Sequence, residues 1–152
     1  MIVDILPFPK QSLLELRNCL TNDGLYLSSD ATVVFVCGAK PSPKAPRARD
    51  SFLQYANRNL KSYRFFMAED FFNLYERRMQ KDLLSVEGDI AKFCDCLIVF
   101  IESASAIAEL GAFATHDELS KIMLAVNDDE HRNSDSFISL GPIAKINRQA
   151  LS

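Results

Sequence analysis

The sequence is poor in the residues on which most metal sites and disulfide frameworks depend. It has two histidines and four cysteines. The histidines lie far from the cysteines in the chain, and neither His116 nor His131 has a nucleophile and an acid grouped around it. Since every cysteine lies among apolar residues and no secretion signal is present, we expect buried, reduced thiols and no metal ion at Cys19, Cys37, Cys94 and Cys96.

The chain also lacks a basic excess and any long hydrophobic run. Its 17 Lys and Arg residues against 20 Asp and Glu residues give a net charge of -3. That balance argues against a dedicated nucleic-acid surface, although it leaves room for a local basic patch. No segment approaches the ~20 apolar residues of a membrane-spanning helix, and the N-terminus has no signal-peptide pattern. We therefore expect a cytoplasmic protein with no membrane partner.

What is present is an alternation of apolar runs with helical patterns. At 152 residues the chain is long enough for one domain with a real core. The alternation predicts an α/β fold, a doubly wound, mostly parallel sheet of four to five strands with helices on both faces, Rossmann-like or flavodoxin-like. We expect an N-terminal arm and helix over residues 1–30 and the compact domain over 31–152. The predicted strands are Thr32 to Cys37, Tyr63 to Ala68, Cys96 to Ile101 and Lys121 to Val126.

The most informative stretch runs from Asp95 to Ala114 and reads DCLIVFIESASAIAELGAFA. Its apolar run fits a strand buried on both faces, and a helix of small residues follows a turn with two serines, Ser103 and Ser105, either of which can cap it. Two acids lie in this stretch, Glu102 at the carboxyl end of the strand and Glu109 in the helix. Open α/β sheets bind ligands at this edge, so both acids are candidate site residues.

Further candidates follow the other strands. Gly38 ends the first strand, where a side chain would obstruct a ligand. Glu69 and Asp70 follow the second strand. We interpret Asp70 as a helix cap, and we leave Glu69 open between capping, a ribose contact and the orientation of another catalytic group.

Two charged residues lie on predicted helices. Glu87 shares the inward face of its helix with Leu83 and Ile90, and a buried carboxylate needs a partner or a ligand. The alternative is a partly exposed helix glutamate. For Arg49, a phosphate contact and a solvated helix-end charge are equally supported.

Together these motifs resemble the nucleoside 2-deoxyribosyltransferase-like proteins, and more closely the deoxyribosyltransferase-like effectors of retron anti-phage systems. The likeness rests on E-L-G-A-F-A after the strand and turn. It extends over roughly residues 33 to 145, through V-F-V-C-G, Arg49, M-A-E-D, D-L-L-S-V-E and S-F-I-S-L-G-P-I. The resemblance implies that Glu109 attacks C1′ of a nucleoside, that Arg49 matches an arginine of the effectors and that the strand–Gly38 turn borders the nucleotide site.

The resemblance also implies an activity. We expect an N-glycoside hydrolase that uses NAD or another nucleotide as its substrate and needs no cofactor, with toxic loss of NAD and control by a reverse transcriptase and its DNA–RNA product. Homo-oligomerisation stays open. The alternatives are a nucleoside 2-deoxyribosyltransferase and a catalytically idle nucleotide-binding or assembly module. Retron members carry a second, C-terminal winged-helix domain, so this chain is either a fragment or a single-domain member.

The chemistry assigns roles to the stretch around Glu109. Cleavage of an N-glycosidic bond passes through an oxocarbenium-like state that a carboxylate near C1′ stabilises. We expect Glu109 to be ionised at neutral pH through the helix dipole, without a raised pKa. Glu102 would hold ribose hydroxyls or position the sugar, and Ser103 and Ser105 would face a phosphate. The turn at Ala104 and Ser105, and the missing hydroxyl at Ala106, depart from the family pattern. We expect Glu102, Glu109 and Glu87 to converge, with Gly38 at the edge.

Overall fold

The computed structural model describes residues 32–40, 47–67, 69, 82–131 and 134–150. The predicted arm and helix of 1–30, the cap predicted at Asp70 and the stretch from Phe71 to Met79, whose apolar residues predict a helix, lie outside these ranges. The domain boundary at residue 30 stays a prediction. The strands are β1 Thr32–Cys37, β2 Tyr63–Phe66, β3 Cys96–Phe100 and β4 Met123–Val126. The α-helices are α1 Ala48–Asn59, α2 Leu83–Ala91, α3 Ala104–Ala114, α4 Asp117–Lys121 and α5 Ala144–Ala150, with a 3₁₀ turn at Asp129–His131 and a π-helical turn at Ser139–Ile143.

The four strands form one parallel sheet in the order β2-β1-β3-β4. In the register of the two central strands, Val34 lies opposite Cys96 and Cys37 lies opposite Val99. Parallel strands require crossover connections, and here each connection contains helix. The predicted α/β class and parallel sheet are confirmed.

Both faces of the central strands are buried, which explains why their sequences are continuously apolar. On one face, Val34, Val36, Ile98 and Phe100 pack with Leu53 of α1. Residues that alternate with them along the strands point to the opposite face and are equally inaccessible to solvent, namely Phe35, Leu97 and Val99. A sheet covered on both faces leaves its strand ends as the accessible places for polar groups.

Some boundaries differ from the predicted ones. β4 begins at Met123 rather than at Lys121, because the residues before it form the short helix α4. Asp117 and Glu118 in the first turn of α4 and Lys121 in its last turn match the helix dipole. β2 ends at Phe66, two residues before the predicted end. Among the described residues, no helix is long and apolar enough to cross a membrane.

Candidate functional site

The carboxyl ends of β1, β2 and β3 lie along one edge of the sheet, and the predicted site residues follow them. Gly38 comes directly after β1, Glu69 after β2 and Glu102 after β3. Glu109 lies in the second turn of α3 and Glu87 lies in α2. Three of these residues thus follow the ends of strands, and the other two lie on helices.

Arg49, in the first turn of α1, is directed into the protein. Its residue is only 1% exposed. Its Nη1 donates to the carbonyl oxygen of Gly38 at 3.3 Å and to Oε1 of Glu69 at 3.1 Å. The interpretation of Arg49 as a solvated helix-end charge is therefore wrong. A phosphate contact stays a prediction.

The structure explains why position 38 is occupied by glycine. A Cβ added there would lie 2.8 Å from Cδ of Arg49 and 3.2 Å from Cβ of Phe100. The first distance is shorter than real carbon contacts, so a side chain at this position would displace the arginine. Gly38 leaves space for the side chain of Arg49, and not for a ligand as predicted from its place after the first strand.

Glu87 faces inward, as its helical spacing predicted. It is 6% exposed, so the alternative of a partly exposed helix glutamate is wrong. Burial raises the pKa of Glu87 to about 7, and the negative charges of Glu109 and Glu69 contribute to the rise. At neutral pH both the protonated and the ionised form of this carboxyl are therefore populated.

Glu109 departs from the expected electrostatics. Its pKa is raised above its ordinary value, chiefly by burial; the Cys37 thiol, as a hydrogen-bond donor, lowers it, Glu69 raises it and Arg49 lowers it. The direction is opposite to the one expected from the helix dipole, and the ionised state of Glu109 at neutral pH stays a prediction. The helix begins at Ala104, so Glu109 lies in its second turn. The effect of the helix dipole is strongest in the first turn and is weaker at Glu109. Its Oε2 is buried and has no hydrogen-bond partner among the described residues.

Cys37 is a member of this cluster that sequence reasoning treated only as a buried thiol. Burial raises its pKa well above the ordinary value, and the charges of Glu109 and Glu87 add to the effect. A thiol that keeps its proton can donate a hydrogen bond to the carboxylate of Glu109. One feature of the sequence could have indicated this role: Cys37 is the last residue of a buried strand, directly before Gly38.

Glu102 contacts the start of α1. Its Oε1 accepts a hydrogen bond from the backbone N–H of Ala48 at 2.6 Å. Its backbone carbonyl accepts one from Nη1 of Arg47 at 3.0 Å. Glu102 thus joins the end of β3 to the start of α1, whose N-cap residue Arg47 makes no capping bond with its own side chain. The structure groups Glu69, Glu87 and Glu109 with Arg49, and it places the Glu102 carboxylate at a helix N-terminus.

The two serines shape the turn before α3. Ser103 is the N-cap, and its Oγ accepts a hydrogen bond from the backbone N–H of Ala106 at 3.2 Å. The hydroxyls of Ser103 and Ser105 lie 2.9 Å apart. The predicted cap is confirmed at Ser103, and the predicted phosphate contacts stay predictions.

The cysteines within the described ranges are free thiols, at Cys37, Cys94 and Cys96. Cys19 lies outside those ranges. The described residues contain no group of three His, Cys, Asp or Glu side chains arranged to hold a metal ion. The expectation that the protein binds no metal ion stays a prediction.

Fold and site together define an α/β protein with a buried carboxyl cluster at the carboxyl edge of a parallel sheet. Residues 45–152 match the model of the family described as STM3845 retron effector protein. The chain belongs to this retron effector family. The matched segment contains Arg49, Glu69, Glu87, Glu102 and Glu109, whereas Cys37 and Gly38 precede it.

Two proteins of Escherichia coli are similar to the chain. The "Retron Ec73 putative ribosyltransferase/DNA-binding protein" is 37% identical over 121 residues, which is 77% of this chain and 38% of that protein. The "Retron Ec86 putative ribosyltransferase/DNA-binding protein" is 28% identical over 138 residues, which is 90% of this chain and 44% of that protein. The chain therefore spans about two fifths of the length of each relative.

The raised pKa of Glu87 makes the stability of the protein depend on pH. Because its pKa is about 7 in the folded state against 4.5 ordinarily, the folded state binds more protons between these values, and stability falls as pH rises through them. Glu87→Gln removes this ionisation. We expect the variant to gain stability over the wild type at pH 8, by at most about 3 kcal/mol, and to gain little at pH 4.5.

Urea unfolding at the two pH values measures this difference. Glu118→Gln, at an exposed glutamate of α4, is the matched control and should change stability little at either pH. An equal gain for Glu87→Gln at both pH values would show that ionisation of Glu87 is not its cause.

The bond between Glu102 and Ala48 predicts an order of stabilities. Glu102→Ala removes the acceptor at the start of α1 and should destabilise the protein by about 1–2 kcal/mol. Glu102→Gln keeps a carbonyl acceptor and loses only the charge assistance, so it should cost less. Thermal or urea unfolding of both variants gives the comparison, and equal losses would contradict a capping role for the Glu102 side chain.

Proposed function

We propose that the protein is an N-glycoside hydrolase that cleaves a nucleotide, with Glu109 as the carboxylate that attacks C1′. The observation that supports this most directly is the state of Glu109. It has a buried oxygen with no partner among the described residues, at the edge of the sheet where ligands of α/β proteins bind. An acceptor kept free of hydrogen bonds inside a protein is costly unless a ligand uses it.

The proposed reaction is a double displacement. One oxygen of Glu109 forms a bond to C1′ as the bond from C1′ to the base nitrogen breaks, and the base leaves with the electron pair. Water then attacks C1′ and releases the sugar with its phosphate groups, which is ADP-ribose where the substrate is NAD, together with the Glu109 carboxylate. Ionised Glu109 is required for the first step.

Glu87 is suited to move the protons. With a pKa of about 7, it is present in both forms at neutral pH. The protonated form can give its proton to a base that leaves as an anion, and the ionised form can accept a proton from the attacking water. Nicotinamide leaves NAD as a neutral molecule, so with that substrate only the second of these transfers is needed.

NAD is the first substrate to test, because the resemblance to retron effectors implies it. In that proposal, loss of NAD is the toxic outcome that defends against phage. A reverse transcriptase and its DNA–RNA product would control the activity. The relatives are named DNA-binding proteins, which supports a nucleic-acid partner for the whole protein.

The second candidate is a transferase that moves ribose or deoxyribose between bases. It is supported by the word ribosyltransferase in the names of both relatives. The same carboxylate forms the same bond to C1′, and the acceptor is a base instead of water. A nucleotide-binding or assembly module without turnover is the third alternative.

Product analysis separates these functions. The full-length protein is incubated with NAD, nucleosides and nucleotides, singly and with an added free base, and the products are identified by mass. A free base together with the hydrolysed remainder, which is ADP-ribose from NAD, a sugar phosphate from a nucleotide or a free sugar from a nucleoside, identifies a hydrolase. An exchanged base identifies a transferase. Tight binding without products would contradict both enzymatic proposals.

The role of Glu109 is tested by Glu109→Gln. This nearly isosteric change removes the attacking charge, so turnover should fall by roughly a thousandfold or more while the fold and most ligand affinity remain. Glu102→Gln should reduce the rate less, and Glu118→Gln should leave it unchanged. Turnover and melting curves are measured side by side, and near-normal cleavage by a folded Glu109→Gln would exclude Glu109 as the nucleophile.

A further inference from the structure

Arg49 is the largest side chain that is fully buried in the described part of the protein. A guanidinium keeps its charge under all ordinary conditions, so burying one is costly unless anionic groups compensate it. Here one nitrogen, Nη1, bonds both the carboxylate of Glu69 and the carbonyl of Gly38. Its Nε lies 3.9 Å from Oδ1 of Asp50, beyond hydrogen-bonding distance. Nε and Nη2 are buried and have no hydrogen-bond partner among the described residues. The hydrogen bonds that compensate the charge therefore come from Nη1 alone, at the edge of the sheet.

The negative charges of the carboxyls at this edge are stabilised by the positive charge of Arg49. Glu69 is bonded directly, and the positive charge of Arg49 lowers the pKa of Glu109 against the opposing effect of burial. Four groups from four places in the chain act on Glu109 or its cluster, namely Cys37 from β1, Arg49 from α1, Glu69 after β2 and Glu87 from α2. Among these four, Arg49 is the positively charged one.

The sequence provides space for this arginine at a specific residue. Its Cδ and Cβ pass over Gly38, at 2.8 Å and 3.5 Å from where a Cβ would be. Any other residue there would push Arg49 off the Gly38 carbonyl that it bonds. The backbone after β1 and the arginine of α1 are therefore fitted to each other.

We propose that Arg49 is a positioning residue of the carboxyl cluster, which holds Glu69 against the end of β1 and balances the buried negative charge of Glu109, and that Gly38 is needed to admit it. The assignment differs from that of a phosphate ligand. It rests on the proposed function only in taking Glu109 as the reacting group. Loss of Arg49 should leave Glu109 harder to ionise, and it should affect substrates with and without a phosphate equally.

The first test is a pH profile of kcat/KM for Arg49→Met. The pKa of Glu109 should rise by about one unit or more. This rise shifts the acidic limb of the profile to higher pH and lowers kcat/KM roughly tenfold at any pH on that limb. Arg49→Lys, which keeps the charge, should restore most of this shift. A profile that does not move would overturn the proposal.

The second test separates positioning from phosphate binding. A nucleotide and its nucleoside are compared as substrates of the wild type and Arg49→Met. We expect the ratio of their kcat/KM values to stay within about twofold. A loss confined to the phosphorylated substrate, seen as a raised KM, would overturn the proposal and identify Arg49 as a phosphate ligand.

Gly38→Ala displaces the arginine without removing its charge and should shift the profile in the same direction. Gly88→Ala is the matched control, because a methyl group there meets no atom within 4 Å. If Arg49→Met does not fold, Gly38→Ala decides the question, since it displaces the cation from the end of β1 while keeping its charge. A Gly38→Ala protein with a wild-type profile would contradict the role assigned to Gly38.

A measurement without substrate distinguishes failure of this proposal from failure of the proposed function. Carboxyl-carbon NMR of the wild type and Arg49→Met follows the titration of Glu109 directly. The double variant Arg49→Met/Glu69→Gln removes both partners, and it should return the pKa of Glu109 part of the way to the wild-type value. An inactive protein with these shifts would refute the hydrolase and keep the positioning role, whereas an active protein without them would do the reverse.

Discussion

The arrangement at the edge of the sheet depends on the cost of burying charge. Three carboxyls, those of Glu69, Glu87 and Glu109, act on one another there, and one buried guanidinium, that of Arg49, acts on Glu69 and Glu109. A single cation cannot balance three ionised carboxylates in a poorly solvated place. One of the three must therefore hold a proton easily, and the most deeply buried one, Glu87, has the pKa of about 7 that this balance requires.

Patterns within single segments of the sequence were enough to predict the buried strands and the inward-facing side of the helix that carries Glu87. The continuous apolar runs of β1 and β3 follow from burial of both sheet faces, and the inward face of Glu87 follows from its spacing to Ile90. Partners distant in the chain were not predictable in this way. The bond from Ala48 to Glu102 joins residues 54 positions apart, and no spacing within either segment indicates it.

The position of Glu109 shows where two local arguments compete. A glutamate near a helix start suggests stabilisation of its charge by the dipole, an effect that falls off within the first turn. The cap at Ser103 puts Glu109 in the second turn, so the dipole contributes little and desolvation has the larger effect. Sequence alone could locate the carboxylate near the strand end, but the extent of its burial depends on β1, where Cys37 lies against it.

Under the proposed mechanism, a raised pKa on Glu109 and one of about 7 on Glu87 have different consequences. A nucleophile with a modestly raised pKa is more basic, and so more reactive towards C1′, provided that it remains ionised at the working pH. Arg49 and the Cys37 thiol both favour that ionised form. Glu87 has no such compensation among the influences on its pKa, all of which raise it, so it exchanges its proton near neutrality. Arg49 thus favours the ionised form of Glu109 and does not offset burial at Glu87. Under the proposed mechanism, this difference suits Glu109 to attack and Glu87 to transfer protons.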